Sequence, residues 1–177
     1  TGGSNSNGQL GDGSGTSRTT PLRVSGIYTA SELSSKNYHI CVVLSDNTIK
    51  CWVENHRGQL GDGSQSDRNT PVSVSGISSA TSVSGGGHHC AIVTEPQPTD
   101  GTIECWAAGS SGQLGDGSGT SFTTPVSVSG INDATATARG AYHSCAILSD
   151  STVKCWGSNA QGQLGEGGSV SGHSAIP

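Results

Sequence analysis

Cysteine and histidine are the residue types in this chain most able to do chemistry, and both recur at fixed places. Six cysteines occur as three sequence pairs: Cys41 and Cys51, Cys90 and Cys105, and Cys145 and Cys155. An even number of cysteines at a repeating spacing is typical of a disulfide framework formed in an oxidising compartment. Zinc binding is the alternative, but no pair has the short spacing of a zinc knuckle. The pattern predicts three disulfides in an extracellular, cell-surface or periplasmic protein.

Three histidines, at positions 39, 88 and 143, each stand two residues before the first cysteine of a pair. Such a series could form a ring of metal ligands. The histidines belong to different copies of a repeat, however, and would lie too far apart to share one ion. His56, His89 and His173 make a weaker case still. We therefore expect no metal site.

No catalytic motif is present in the sequence. Asp12-Gly13-Ser14 and its copies resemble fragments of calcium loops, but they lack the alternating acidic ligands that calcium requires, so a turn is the better interpretation. Neither a Gly-x-Ser-x-Gly elbow, a phosphate loop nor a His-Glu-x-x-His motif occurs. The sequence therefore predicts a protein that is not an enzyme and that binds no cofactor.

Three tryptophans could form a row that stacks on carbohydrate, and we treat Trp52, Trp106 and Trp156 as possible binding residues. Each follows the second cysteine of its pair. Residues at such a fixed place more often pack against their own disulfide and the neighbouring repeat. Both interpretations remain open from the sequence.

The elements that position these residues come from a repeat. The tetrapeptide Gly-Gln-Leu-Gly occurs four times, at intervals of 50, 54 and 50 residues. The longer interval traces mainly to an insertion at residues 95–99, expected at an exposed loop tip. A fixed period of this length indicates an array of identical supersecondary units. The leucines should point inward and the flanking glycines should allow positive φ; these structural residues are Gly8, Leu10, Gly11, Gly58, Leu60, Gly61, Gly112, Leu114, Gly115, Gly162, Leu164 and Gly165.

Each unit should form four short antiparallel strands. In the first complete unit we predict strands over Ala30–Ser34, His39–Leu44, Thr48–Trp52 and Thr70–Val74, because these segments are rich in strand-forming residues and bounded by turn residues. The hairpin of the second and third strands places Cys41 opposite Cys51, so each disulfide should lie within its own hairpin. A four-stranded sheet repeated at this period is a propeller blade, and the predicted fold class is an all-β propeller.

The last copy of the motif reads Trp156-Gly157-Ser158-Asn159, continuing through to Gly162-Gln163-Leu164-Gly165. This pattern resembles the regulator of chromosome condensation repeat family, and the resemblance implies a seven-bladed propeller. Two copies depart from it: Val53 and Ala107 replace the glycine after tryptophan, and Gly109 replaces the asparagine. Those changes affect the expected turn geometry but not the fold. The paired cysteines resemble the secreted, bacterial-type branch of the family.

The repeat divides the chain into about three blades. Residues 1–29 are expected to be the turn and outer strand of a preceding blade, 30–76 the first blade, 77–130 the second, and 131–177 a third blade lacking its outer strand. The segment Thr20–Val24 would then be an outer strand without a blade of its own. Either the chain is part of a longer propeller, or this strand completes the last blade of another copy to give a ring or filament.

Charge and hydropathy exclude two classes of partner. The net charge of −5, with no run of Lys or Arg, disfavours nucleic-acid binding. No stretch approaches the roughly 20 apolar residues of a membrane span. We expect a non-enzymatic extracytoplasmic scaffold that binds a protein or glycan, or that assembles through its open blade edges. The alternative, implied by the resemblance, is regulation of an enzyme through propeller loops, as in GTPase nucleotide exchange or β-lactamase inhibition.

Overall fold

The regular structure of this chain consists of three antiparallel sheets. The computed structural model describes residues 2–36, 39–94, 101–167 and 172–177, and in these residues every regular element is a strand. The first blade contains β1 (Ala30–Lys36), β2 (His39–Leu44), β3 (Ile49–Val53) and β4 (Arg68–Ser73). The second contains β5 (Ala80–Gly85), β6 (His88–Val93), β7 (Thr102–Ala107) and β8 (Phe122–Ser127). The third contains β9 (Ala134–Arg139), β10 (His143–Leu148), β11 (Val153–Ser158) and β12 (His173–Ser174).

Within every blade the strands pair in chain order, so each blade is a simple up-and-down sheet. The predicted strands are confirmed: β2 has the bounds expected from its β-branched residues, and the others differ by at most two residues. Periodic turn chemistry explains this agreement, because Asp46 accepts hydrogen bonds from the backbone and hydroxyl of Thr48 and closes the β2–β3 hairpin. The fold is an all-β propeller with three blades.

Successive blades stack through their apolar faces. The inner strand β5 packs against β1 and β2, and β9 packs against β5 and β6. Between the first two blades, Val43, Ile49 and Val74 of the first meet Ile77 and Val83 of the second, and all of these residues are buried. An equivalent cluster joins the second and third blades. Because each core lies between blades, the stability of one blade depends on its neighbour.

The Gly-Gln-Leu-Gly turns fasten each blade to the next. The tryptophan of one repeat donates its indole N–H to the glutamine carbonyl of the preceding repeat, with Trp106 Nε1 lying 3.0 Å from the Gln59 oxygen. Leu60 and Leu114 are fully buried, whereas Leu164 in the last blade is half-buried. Gly61 needs its positive φ of 64°, and a Cβ there would stand 2.9 Å from a methyl of Val74 and 3.0 Å from Trp106 Nε1. Larger residues would therefore separate the blades.

Two expectations about the ends of the array were wrong. The third blade does have an outer strand, because His173 and Ser174 of β12 pair with Ser158 and Gly157 of β11. The segment Thr20–Val24, in contrast, forms no strand: the pairing near it is an isolated bridge between Gly3 and Arg18. A strand needs a neighbouring strand with which to pair, and among the described strands none pairs with Thr20–Val24. The insertion at residues 95–99 lies outside the described residues.

The residue after each tryptophan has positive φ whether or not it is glycine. The angle is 89° at Val53, 79° at Ala107 and 103° at Gly157. The turn geometry therefore survives the loss of glycine in two repeats. A left-handed backbone costs a non-glycine residue about 1–2 kcal/mol, and the packing around these buried side chains must offset that cost.

Gly157→Ala is expected to lower the free energy of unfolding by about 2 to 5 kcal/mol. A Cβ at Gly157 would stand 2.6 Å from the Tyr142 carbonyl oxygen, 2.8 Å from His143 Cα and 3.2 Å from Gln113 Cα. The matched control is Ala107→Gly, where relief of strain and loss of a buried methyl nearly cancel, so the change should stay within about 1 kcal/mol of zero. Urea titration of both variants measures the difference, and equal losses would contradict this account.

No helix among the described residues is long and apolar enough to cross a membrane.

Candidate functional site

The candidate site is a cavity at one end of the blades. We call this end the loop face: it is where the β5–β6 and β9–β10 turns meet the β3–β4 and β7–β8 loops. The cavity has a volume of about 250 Å³. Its lining combines buried and exposed polar groups from all three blades: His39, Glu54, His56, Arg57, Gln59, Gly86, Gly87, Ala108, Ala141 and Tyr142.

The rim of the cavity comes from the β3–β4 loop, which one asparagine holds in place. The Asn55 side chain donates from Nδ2 to Asp62 and to the Ser64 carbonyl, and its Oδ1 accepts from the Leu60 amide at 2.9 Å. In the equivalent loop of the second blade, Gly109 replaces this asparagine, and a Cβ there would overlap the Thr120 carbonyl. A backbone group thus fills the space of the missing side chain, which explains how that loop keeps its turn.

His39 is the buried polar group at the floor of the cavity. It begins β2 and is only 2% exposed, and neither of its ring nitrogens has a hydrogen-bond partner among the described residues. Burial, reinforced by the positive charges of Arg139 and His56, lowers the pKa of His39 to about 4. His39 is therefore neutral at physiological pH, with one nitrogen able to donate and the other able to accept.

A second histidine lies directly behind the first. The His89 ring is fully buried, meets the His39 ring edge-on at 4.6 Å between centroids, and stacks on Trp106 at 5.3 Å. Burial lowers the pKa of His89 well below its usual value, with smaller effects from His39 and Arg139. Gly85 makes room for this ring, since a Cβ there would overlap it. The three rings form a rigid wall.

Arg139 brings a positive charge to the same wall. It ends β9 in the third blade, and its guanidinium lies against Gly86, where a Cβ would overlap Nη1. Its Nε and Nη1 atoms are buried and have no hydrogen-bond partner in the part of the chain that the structure describes. Burial lowers the pKa of Arg139 to about 10, so the side chain remains charged at neutral pH.

The outer rim is more exposed and mixed in charge. His56 Nδ1 lies 3.1 Å from a carboxylate oxygen of Glu54, while Arg57 and Tyr142 are exposed, the tyrosine by 56%. Exposed aromatic and arginine side chains at the edge of a concave site are typical of protein-binding surfaces.

The predicted disulfides are confirmed. Cys41–Cys51, Cys90–Cys105 and Cys145–Cys155 are bonded, and the partners lie directly opposite each other in the β2–β3, β6–β7 and β10–β11 hairpins. The described residues contain no free cysteine. They also contain no group of three or more His, Cys, Asp or Glu residues placed to hold a metal ion.

The possible binding role of the tryptophans is wrong in this structure. Trp52, Trp106 and Trp156 are at most 1% exposed, and a buried ring cannot stack on a sugar. Trp106 and Trp156 pack between blades, and Trp52 packs against the N-terminal segment at Val24 and Ile27. The histidines before the cysteines also differ in surroundings. His88 is buried with Nε2 2.7 Å from the Ser144 hydroxyl, whereas His143 is half-buried. Of these three, His39 lines the cavity.

Sequence reasoning missed Arg139 and considered His89 only as a weak candidate for metal binding. Both break the repeat: Ile40 and Ser144 occupy the position of His89 in the other blades, and Ser35 and Gly85 that of Arg139. The available signal was that a histidine and an arginine stand at repeat positions where the other blades have different residues.

The outward face of the third blade is a second exposed feature. Ile147 and Val153 are 44% and 61% exposed, although the equivalent Val43 and Ile49 in the first blade are buried by the second. Leu33 on β1 is likewise 62% exposed, whereas its counterpart Val83 is buried. These residues have the pattern of a blade-stacking surface.

Comparisons with known proteins agree with this architecture. Two models of the regulator of chromosome condensation (RCC1) repeat match the chain, one over residues 51–93 and the other over 135–163. No curated protein matched the sequence.

Among solved structures, human WBSCR16 is similar over 98% of this chain and 46% of its own, with 20% identity and a TM-score of 0.78. Prp20p from Saccharomyces cerevisiae, reported with its binding to Gsp1p and histones, is similar over 88% of this chain and 39% of its own, with 18% identity and a TM-score of 0.72. Yeast RCC1 (Prp20) in its complex with Kap60 is similar over 90% of this chain and 38% of its own, with 17% identity and a TM-score of 0.73. The chain thus spans less than half the length of each. These likenesses establish the fold alone.

Proposed function

Because the chain belongs to the regulator of chromosome condensation repeat family, we propose that it is a non-enzymatic propeller scaffold that binds a partner protein through its loop face. The observation that carries the proposal is the cavity shared by the three blades, with its rigid buried wall and its exposed rim of Arg57 and Tyr142. Rigid walls reduce the entropy lost on binding, and an exposed aromatic next to an arginine supplies the anchors that such interfaces use.

The similar structures support a protein-binding role, because they are described with bound proteins. Prp20p is described with its binding to Gsp1p and histones, and yeast RCC1 with Kap60 bound. Those proteins are under 25% identical to this chain, so their partners are not transferred. The disulfides favour action in an oxidising, extracytoplasmic compartment. Burial of the tryptophans removes the feature that suggested glycans, so a protein partner is favoured.

Photo-crosslinking tests this proposal. A photoreactive amino acid placed at Tyr142 should capture the partner from the native source, and mass spectrometry should identify it. The same amino acid at Asp46, which is exposed in a β2–β3 hairpin at the opposite end of the blade, should not. Tyr142→Ala should weaken binding of the captured partner at least about tenfold. Equal capture from both positions, or from neither, would contradict it.

The identity of the partner decides between scaffold and regulator. Capture of a GTPase or a β-lactamase would favour regulation of an enzyme, whereas capture of a surface or structural protein would favour the scaffold. Family resemblance is the support for the regulatory alternative.

A second candidate function is assembly through blade faces, which the exposure of Leu33, Ile147 and Val153 favours. Apolar residues at positions that other blades bury would stack on a further blade of the same type. Native mass spectrometry of the protein, compared with a Val153→Lys variant, tests it. A concentration-dependent oligomer that the substitution dissociates is the expected result, and a monomer at all concentrations would refute assembly of this protein with itself.

A further inference from the structure

Buried polar atoms in the cavity wall and behind it have no hydrogen-bond partner in the described part of the chain. Both ring nitrogens of His39 lack a partner, and so do Nε and Nη1 of Arg139 directly behind Gly86. Each unmade hydrogen bond of a buried group costs about 1–3 kcal/mol, so natural proteins seldom leave several of them together. His39 lines the cavity, whereas Arg139 lies behind its Gly86 wall, so the two unsatisfied nitrogens of His39 are the atoms that indicate a ligand there.

The size of the cavity limits what it can hold. At about 250 Å³ it is smaller than the roughly 300–1,000 Å³ of sites for drug-sized molecules. Gly86 and Gly87 line it without side chains, so backbone can approach closely. The space fits one side chain or one peptide end.

The charges around the cavity favour an anionic group. Arg57 and Arg139 are positive, and the acidic lining residue Glu54 already faces His56 at 3.1 Å. His39 is neutral and offers one donor and one acceptor, so it is best satisfied by a ligand carrying an acceptor oxygen beside an N–H group. A peptide carboxylate with its neighbouring backbone amide has both.

We propose that the cavity binds a carboxylate of a partner peptide through His39, with the charges of Arg57 and Arg139 providing selectivity for the anion. This rests on the proposed function, because it names the chemistry by which the loop face recognises its partner. The carboxylate comes either from an acidic side chain or from the C-terminus of the partner, and the chemistry at His39 is the same.

Three tripeptides distinguish these sources. Acetyl-Gly-Asp-Gly-amide has a side-chain carboxylate, acetyl-Gly-Gly-Gly with a free terminus has a terminal carboxylate, and acetyl-Gly-Asn-Gly-amide has neither. NMR of the full-length protein labelled in its histidine rings reports contact with His39 directly, without any substitution. We expect at least one carboxylate peptide to shift the His39 signals at millimolar concentration, and the asparagine peptide to leave them unchanged. Equal shifts from all three, or none, would overturn the proposal.

Arginine variants test whether the cavity selects for a negatively charged ligand. Arg57 is exposed, so Arg57→Gln should fold normally and should weaken binding of the active peptide about threefold or more. Arg139→Gln removes the buried charge and should weaken it about tenfold or more, if its folded NMR spectrum is retained. Arg23→Gln makes the same change at an exposed site outside the cavity lining and should have no effect. Equal effects of Arg57→Gln and Arg23→Gln would refute recognition at this site.

The peptide experiment and the photo-crosslinking experiment can fail independently of each other. If Tyr142 captures a partner but no carboxylate peptide reaches His39, then the loop face binds protein by other contacts and the carboxylate proposal alone is wrong. If neither experiment succeeds, both are wrong.

Discussion

Reduction of the three disulfides should remove about 8 to 9 kcal/mol from the free energy of unfolding, the largest effect that we expect from a change to this protein. The bonded residues are 10, 15 and 10 positions apart, and cross-links closing loops of this length contribute about 3 kcal/mol each by restricting the unfolded chain. Domains of this kind have total stabilities of about 5–15 kcal/mol. The reduced protein should therefore be largely unfolded or only marginally folded.

The bridges should also be reduced in a definite order. Cys41, Cys51, Cys90 and Cys105 are at most 1% exposed because a neighbouring blade covers them, whereas Cys145 and Cys155 lie half-buried on the outward face of the third blade. Thiol exchange requires access to sulfur, so Cys145–Cys155 should be the first to react with a mild reductant. Alkylation followed by mass spectrometry at successive times identifies each bridge as it opens.

Paired alanine variants separate the contributions of the bridges. The Cys90→Ala, Cys105→Ala variant should lose about 3 kcal/mol or more, because the apolar cluster between the second and third blades includes both sulfurs. The matched Cys145→Ala, Cys155→Ala variant should lose less, since its bridge has no blade over it. Urea unfolding of both variants without reductant gives the comparison. A reduced wild-type protein as stable as the oxidised one would show that these bridges are not structural, and would remove the support for an oxidising compartment.

Much of the architecture could be predicted because it depends on local, repeated chemistry. The β2–β3 and β10–β11 hairpins need only β-branched strands and an Asp-centred turn, and the pairing of Cys41 with Cys51 follows from the turn length. Errors appeared where a repeat lacks a neighbour. Thr20–Val24 has the sequence of an outer strand, yet it forms none, because no described strand lies beside it to continue a sheet.

The candidate site was harder to predict because it is not part of the repeat. His39 has the same repeat position as His88 and His143. It differs from them because His89 and Arg139, from later blades, lie near it in the folded protein. These residues lie 50 and 100 positions away, and no local pattern links them. The tryptophans illustrate the reverse error: a regular row of aromatics suggests a surface, but regularity here reflects the contact that each blade makes with the next.

The buried histidines should make the protein sensitive to mild acid. The folded pKa of His39 is about 4, against an ordinary value of 6.5, because burial opposes its charging. Between these values the unfolded chain binds a proton that the folded protein does not, so stability is complete above pH 6.5 and falls as the pH drops towards 4. A shift of this size corresponds to about 3 kcal/mol for His39. His89, whose pKa is lowered further by its complete burial, adds to the loss in the same direction.

Urea unfolding between pH 7 and pH 4 measures this dependence, and the slope of stability against pH counts the protons taken up. His39→Gln should reduce the slope by about one proton, since the amide does not titrate. Asp46→Asn is the control. Hydrogen bonds from Thr48 lower the pKa of the Asp46 carboxyl from 3.8, so its contribution is present above that value and is lost only at lower pH. This variant should therefore keep the slope between pH 6.5 and pH 4, and a His39→Gln protein with the wild-type slope would show that His39 does not stay neutral in the folded state.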